Sequence, residues 1–338
     1  MTTNPQNLRW PAEWEPHAGT AMTWPHNAQT WHRGLDAPRR ALTHAVRALA
    51  RHETVHLHFH SEALLHDTLT ELDCAGVVGH VVPNNDAWCR DHGALIARTS
   101  LGERIAIDFG YNAWGGKYPP WDDDARVAQA MADYLELPAQ TVPWVLEGGA
   151  IEGNGQGVIM TTASCVLNPN RNPSLTKGEF AQRLGDLLGT RAVLWLGGEI
   201  AGDDTDGHID NLARFVGPAH ALVVAPENPV DDAQRALTKN VSLLETQAQA
   251  IDMPLRIDVL PLPQSFIGQS GLPASYANFY IGARCVLMPV FADPADDDAC
   301  ATVESCFPDR ELVPVDGRDL IVGLGALHCL TQPIPSGV

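Results

Sequence analysis

The sequence predicts an α/β protein built by repeating one unit five times. Three observations point there. Amphipathic stretches alternate with short apolar runs along the whole chain. A hairpin-like segment follows each run. The last unit ends on a single strand-like run, LHCLT (327–331), while another, GTAMTWP (19–25), stands alone at the opposite end. Pairing those two would close five units into a ring and remove a sheet edge. At this level an open α/β sheet with one crevice remains the alternative.

In chain order, apolar residues at three- and four-residue spacing predict helices over 36–52, 122–136, 178–189, 230–251 and 295–306. Leu237, Val241, Leu244, Ala248 and Ile251 form such a stripe in the fourth. Asp36, Asp122 and Pro229 mark starts, and three aspartates at 122–124 suit the positive end of a helix. A strand follows each helix: VHLHF (55–59), TVPWV (141–145), AVLWL (192–196), LRIDVL (255–260) and ELVPV (311–315). Hairpins come next, turning near Leu101-Gly102, at 153–157 on an Asn-Gly signal, at Gly217-Pro218 and at Gly282-Ala283. An extra helix and strand (61–82) lie inside the first unit.

With 338 residues and 45% hydrophobic content, the chain can bury one large core or two small ones. No stretch nears the roughly 18 uninterrupted apolar residues of a membrane span. The opening MTTNPQNLRWPAEWEPH has neither the basic start nor the apolar block of a secretory leader. Seven cysteines without a CxxC pair read as reduced thiols, and the cytoplasm is the expected compartment. A net charge of −19 argues against nucleic acid and fits a small cationic ligand.

Conspicuous polar residues fall in one loop of each unit: NNDAWCRDHG (84–93), LEGGAIEG (146–153), GDDTDGHIDN (202–211), SYANFY (275–280) and GLGALHC (323–329). In a ring these loops converge on one axis. Asp91, Glu147, Asp204, His208, Asp210 and Cys329 would then share a pocket. Singly, each has a plainer explanation: a buried thiol is usually inert, and Asp and Gly usually make turns. Jointly they form a nucleophilic set of thiol, acid/base and orienting anions. A calcium loop is excluded at 204–215, where position 12 is Phe215 instead of glutamate. The His-x-Asp pair lacks a further His or Cys pair at zinc spacing, so no metal is expected.

These motifs resemble those of agmatine deiminases, in the guanidine-modifying superfamily that includes bacterial peptidylarginine deiminases. The resemblance spans nearly the whole chain, through PAEWEPHAGTAMTWP, NDAWCRDHG, NAWGGKYPPWDDD, LEGGAIEG, LNPNRNPSL, DDTDGHIDNLARF, SYANFYIGA, FADPADDDA and HCLTQPIP. It implies a single domain, 1–338, folded as a five-bladed pseudosymmetric α/β propeller (the pentein fold), its ring closed by the terminal strands. It implies a homo-oligomer without organic cofactor. It implies that Cys329 is the nucleophile, His208 the general acid/base, and Asp210 and Asp91 the guanidinium-binding pair. Trp88 would be a pocket wall, and Glu147 and Asp204 acidic groups of the substrate site. Two departures, Glu152 in place of a frequent histidine and the bulkier Leu324-Gly325-Ala326, are expected to alter the pocket for the substrate tail.

The implied chemistry is physically coherent. A guanidinium is planar and permanently charged, so two in-plane carboxylates can hold its N–H forks and present its carbon to sulfur. Thiolate attack, protonation of the departing nitrogen and hydrolysis of the amidino–sulfur adduct would convert agmatine to N-carbamoylputrescine and ammonia. Deimination of free or peptidyl arginine, amidino transfer and a non-catalytic binding role are the rival readings. Arg90 and Arg214, near the site in sequence, leave carboxylate binding open.

Overall fold

The computed structural model describes residues 8–229, 231–264 and 271–337. The first residues of the chain, and Val230, where the fourth helix is expected to begin, lie outside them. The fold is mixed α/β with five small sheets. The first unit runs β1 (His17–Thr23), α1 (Asp36–Ala50), β2 (Thr54–Phe59), α2 (Glu62–Leu72) and β3 (Val77–Val81). A one-turn helix, α3 (Cys89–His92), leads to the second: β4 (Leu95–Arg98), β5 (Arg104–Gly110), a tight turn α4 (Ala113–Gly116), α5 (Val127–Tyr134) and β6 (Ala139–Val145). The third holds β7 (Ile151–Gly153), β8 (Val158–Thr162), the short α6 (Ala163–Val166), α7 (Lys177–Leu188) and β9 (Ala192–Leu196). The fourth is β10 (Ala213–Gly217), β11 (His220–Val224), α8 (Asp232–Ala250) and β12 (Arg256–Leu260). Last come β13 (Tyr280–Ile281), β14 (Cys285–Val290), α9 (Asp296–Cys306), β15 (Glu311–Asp316) and β16 (Thr331–Pro335).

Each unit obeys one rule. Two strands pair antiparallel as a hairpin, a helix crosses over, and the third strand lies parallel to the second. A parallel neighbour needs such a crossover, which is why every sheet carries a helix. In the first sheet the antiparallel partner of β1 comes from the far end of the chain. There β16 pairs with β1 from Met22↔Thr331 to His17↔Pro335, in the order β16-β1-β2-β3. The prolines of β16 are tolerated because it is an edge strand.

That pairing corrects one expectation. The C-terminal strand begins at Thr331, so His328 and Cys329 lie in a turn before it. Their backbone is held by loops instead of by β1. The Asn278 side-chain carbonyl accepts from the His328 N–H at 3.0 Å, and the Cys329 carbonyl accepts from the Arg90 N–H at 3.1 Å. A second correction concerns the acidic run at 122–124. The helix there starts later, and the Asp124 carboxylate accepts instead from the backbone N–H groups of Asn85 (2.7 Å) and Asp86 (3.1 Å). It shapes the first polar loop.

Amphipathic helices cover the sheets. In α1 the buried stripe is Leu42, Ala45, Val46 and Leu49, each large aliphatic side chain contributing about 1.5–3 kcal/mol on burial. Helix α1 packs on β2 and also on β14 and β15; α8 packs on β11 and on β9 of the preceding sheet. Helix α7 begins with a capping box between Thr176 and Glu179 and ends at Gly189, whose φ of 69° is left-handed. Among the described residues no helix is long and apolar enough to cross a membrane.

Candidate active site

All five polar loops meet. The first brings Asp91 on α3, directly after Trp88. One Asp91 oxygen accepts from the Gly149 N–H at 3.0 Å and the other from the Trp114 indole at 2.9 Å. The second loop supplies Glu147 and the two glycines after it. A Cβ on Gly149 would stand 2.7 Å from His208 Nδ1, 2.8 Å from Asp91 Oδ1 and 3.0 Å from Asp210 Oδ2. Glycine at this position therefore keeps open the space between the two aspartates and the histidine.

In the third loop, Asp206 (φ 66°) and Gly207 (φ 96°) both take left-handed conformations, turning the chain so that His208 and Asp210 point inward. Thr205 Oγ1 accepts from the His208 N–H at 3.0 Å, and Thr162 donates to the Gly207 carbonyl at 2.6 Å. The fourth loop contributes Asn278, whose amide donates to Cys329 Sγ at 3.2 Å. From the fifth, Cys329 Sγ reaches Asp210 Oδ2 at 3.7 Å.

A cavity of about 750 Å³ opens above; its walls include Trp88, Asp91, Trp114, Asp204, Leu324 and Cys329. The Gly323–Gly325 backbone presses on Trp88, leaving only 2.4 Å for a Cβ at Gly325. The Asp204 carboxylate accepts from the Tyr118 hydroxyl at the wall. Glu147 is not on that wall. One of its oxygens pairs with Arg171 Nε at 2.8 Å, and the other lies 4.0 Å from His208 Nε2. His208 Nδ1 is 3.8 Å from Asp91 Oδ1. Two buried polar atoms keep unused hydrogen-bonding capacity here, His208 Nε2 and Asp210 Oδ1. Buried groups normally find partners; of these two, His208 Nε2 faces Glu147, off the cavity wall.

Underneath lies a charge network that the sequence did not reveal. Glu13, from the N-terminal segment, pairs with Arg90 Nη2 (2.6 Å), Arg214 Nη2 (2.7 Å) and His328 Nε2 (3.0 Å). On its other side His328 Nδ1 meets Asp210 Oδ2 at 2.7 Å. Arg214 also binds Glu152 at 3.1 Å. These contacts settle two expectations. Arg90 and Arg214 are engaged by buried glutamates and do not offer a cation to a substrate carboxylate. Glu152 is paired inward, off the cavity wall, so of the two departures only the Leu324 segment touches the pocket. The sole hint of Glu13 was its place in a quoted motif; that of Asn278 was its loop's equivalence to the other four.

The electrostatics follow from burial and partners. Burial pulls His208 down, but Asp91, then neighbouring Cys165 and Asp210, hold it well above its usual value. Burial, with Asp210 and Asp91 next, pushes the Cys329 thiol well up, against the Ala326 N–H and Asn278 amide. Burial also raises Asp91, opposed by His208 and reinforced by Asp210 and Glu147. Asp210 goes the other way: burial would raise it, but His328 prevails and holds it low. The empty site thus carries an imidazolium beside a protonated thiol, and a planar cation between the aspartates would favour thiolate. Among the described residues, one buried trio could offer metal ligands, Glu147, Cys165 and His208, with ligand atoms within 4.8 Å of one another.

The sequence pattern of the family described as Porphyromonas-type peptidyl-arginine deiminase matches residues 9–335. The agmatine deiminase of Pseudomonas aeruginosa is 32% identical over 99% of this chain and 97% of its own. The solved structure described as agmatine deiminase of Enterococcus faecalis catalysing its reaction superposes with a TM-score of 0.92 at 29% identity, covering 99% of each chain. An agmatine deiminase of C. jejuni with substrate bound gives 0.89 at 27% identity, over 98% of this chain and 97% of its own.

Proposed function

Because the chain belongs to the Porphyromonas-type peptidyl-arginine deiminase family, we infer that it is an agmatine deiminase, hydrolysing agmatine to N-carbamoylputrescine and ammonia through a covalent amidino-cysteine. The observation that carries this reading is the position of Cys329 Sγ, 3.7 Å from Asp210 Oδ2 at the foot of a cavity that Asp91 also lines. Asp91 and the free Asp210 Oδ1 grip the guanidinium N–H groups. The cation's charge favours loss of the Cys329 proton to solvent, and the thiolate attacks the guanidino carbon. His208, held protonated, gives its proton to the departing nitrogen, which leaves as ammonia. Water then attacks the amidino carbon, His208 accepts its proton, and sulfur departs from the ureido product.

The other end of the substrate sets its identity. Trp88 walls the channel, and Asp204 is the anion for the agmatine ammonium. Glu147 acts on the substrate through His208, toward which its free oxygen points. Nearby Arg90, Arg171, Arg214 and Lys117 are each bound by Glu or Asp, which favours a substrate without a carboxylate. Ureido-product formation from a panel of guanidines tests the assignment: agmatine should lead, and comparable rates on arginine or an arginine peptide would overturn it. Asp204→Asn should raise KM more than it lowers kcat, since the tail contact exists in ground and transition states alike.

We propose further that the five sheets close into one propeller ring forming a single domain, working as a homo-oligomer in the cytoplasm. The β1–β16 pairing and the packing of α1 on β14 and β15 support closure. Seven free cysteines support the compartment. Sedimentation of the purified chain tests the oligomer; a monomer at all concentrations would reject it.

A further inference from the structure

Cys165 touches no reacting atom in the reaction above. It sits on α6, fully buried, beside the acid/base histidine. We propose that Cys165, His208 and Glu147 form an inhibitory site for a borderline divalent metal ion, zinc above all, at the floor of the active site. This rests on His208 being the acid/base group.

The donor set is thiol, imidazole and carboxylate, the mixture that suits zinc over hard cations. The three ligand atoms lie within 4.8 Å of one another, and all three residues are buried. Metal–ligand bonds of about 2.0–2.3 Å place tetrahedral ligands roughly 3.3–3.8 Å apart, so the trio needs to contract by only about 1 Å. Two further observations point to a ligand. His208 Nε2 is buried and makes no hydrogen bond outside this trio. Glu147 uses one oxygen for Arg171 and leaves the other 4.0 Å from that nitrogen. Arg171 thus orients the carboxylate as an outer partner commonly does around a metal. Three protein ligands leave a fourth position for water.

The rival thiol, Cys329, is less well placed. Its sequence neighbour His328 has both ring nitrogens taken, by Asp210 and Glu13, and offers no lone pair. On binding, the Cys165 S–H proton and the His208 Nε2–H proton would both pass to solvent, so zinc competes with two protons and occupies His208, leaving no group to protonate the departing nitrogen. A dication held among Asp91, Asp210 and Glu147 would also oppose entry of a cationic substrate.

The test uses the purified full-length chain freed of chelator. Zinc should inhibit ureido-product formation, and EDTA should restore it. Cys165→Ser should lose zinc sensitivity, measured against its own zinc-free rate, by at least about tenfold. Cobalt serves as a direct probe through its thiolate charge-transfer band. That band should persist in Cys329→Ala and vanish in Cys165→Ser, with Cys165→Ala and a thermal melt excluding misfolding. Unchanged zinc sensitivity in folded Cys165→Ser and Cys165→Ala overturns the proposal. So does a band that survives loss of Cys165 and disappears with Cys329. Absence of ureido product without zinc would instead overturn the deiminase reading, and the cobalt band would still decide the metal site.

Discussion

Cys329 is surrounded by groups that resist its ionisation: burial, Asp210 and Asp91 all favour the thiol. A residue in such surroundings is inert until a cation arrives, which suits a nucleophile that reacts only with guanidinium. Cys329→Ala should abolish turnover and leave the thermal melt nearly unchanged; wild-type activity in that variant would refute the mechanism. Glu13 has the opposite role. Burial would raise it, but Arg214, His328 and Arg90 hold it well below its usual value. A carboxylate lowered on folding stabilises the protein above its unfolded pKa, and that contribution is lost as pH falls through the folded value. Glu13→Gln should cost about 3–5 kcal/mol at neutral pH, because it leaves Arg90 buried without an anion and strips Arg214 and His328 of one of their two. The gap between variant and wild type should narrow in acid, as urea unfolding at both pH values would measure. The Asp91, His208, Asp210 and Cys329 set could be read from the sequence because each sits in a loop at the same place in its unit. Glu13 could not, since the segment around it belongs to no repeated loop.

At the level of elements, the helices and hairpins follow local signals closely, and the misreadings are instructive. Strand β9 spans the residues expected, Ala192–Leu196, because a β-branched and aromatic run between turn signals has few alternatives. Strand β16 starts later than expected because Asn278 and Arg90, both far away in sequence, take the backbone groups of 328–329. The acidic run before α5 is likewise claimed by a distant loop. Helix α7 shows the reverse, since both ends are local. Thr176→Ala should destabilise the protein by about 1 kcal/mol through loss of the capping box, measured as a shift in the urea midpoint with unchanged slope. Kinetic constants should stay unaltered, as α7 contributes no cavity wall.

For the whole molecule, the charge of −19 and the acidic cavity favour dications over zwitterions. With the nearby cations already paired, kcat/KM for agmatine should exceed that for arginine by about a hundredfold or more, the scale of a like-charge clash at a desolvated site. Steady-state kinetics on both substrates check this. The sequence alone determined the repeated unit, the number of repeats, the pairing of the two chain ends and the loops that gather the candidate site residues. Those features are encoded in neighbouring residues, through hydrophobic period and turn preference, and repetition makes them legible. Only the tertiary structure decided the charge state and accessibility of each group. It placed Glu13 against Arg214, 201 residues away, withdrew Arg90, Arg214 and Glu152 from the substrate, and set Cys165 beside His208. Burial and ion pairing depend on which distant side chains arrive at the same point, and no local pattern specifies that arrival.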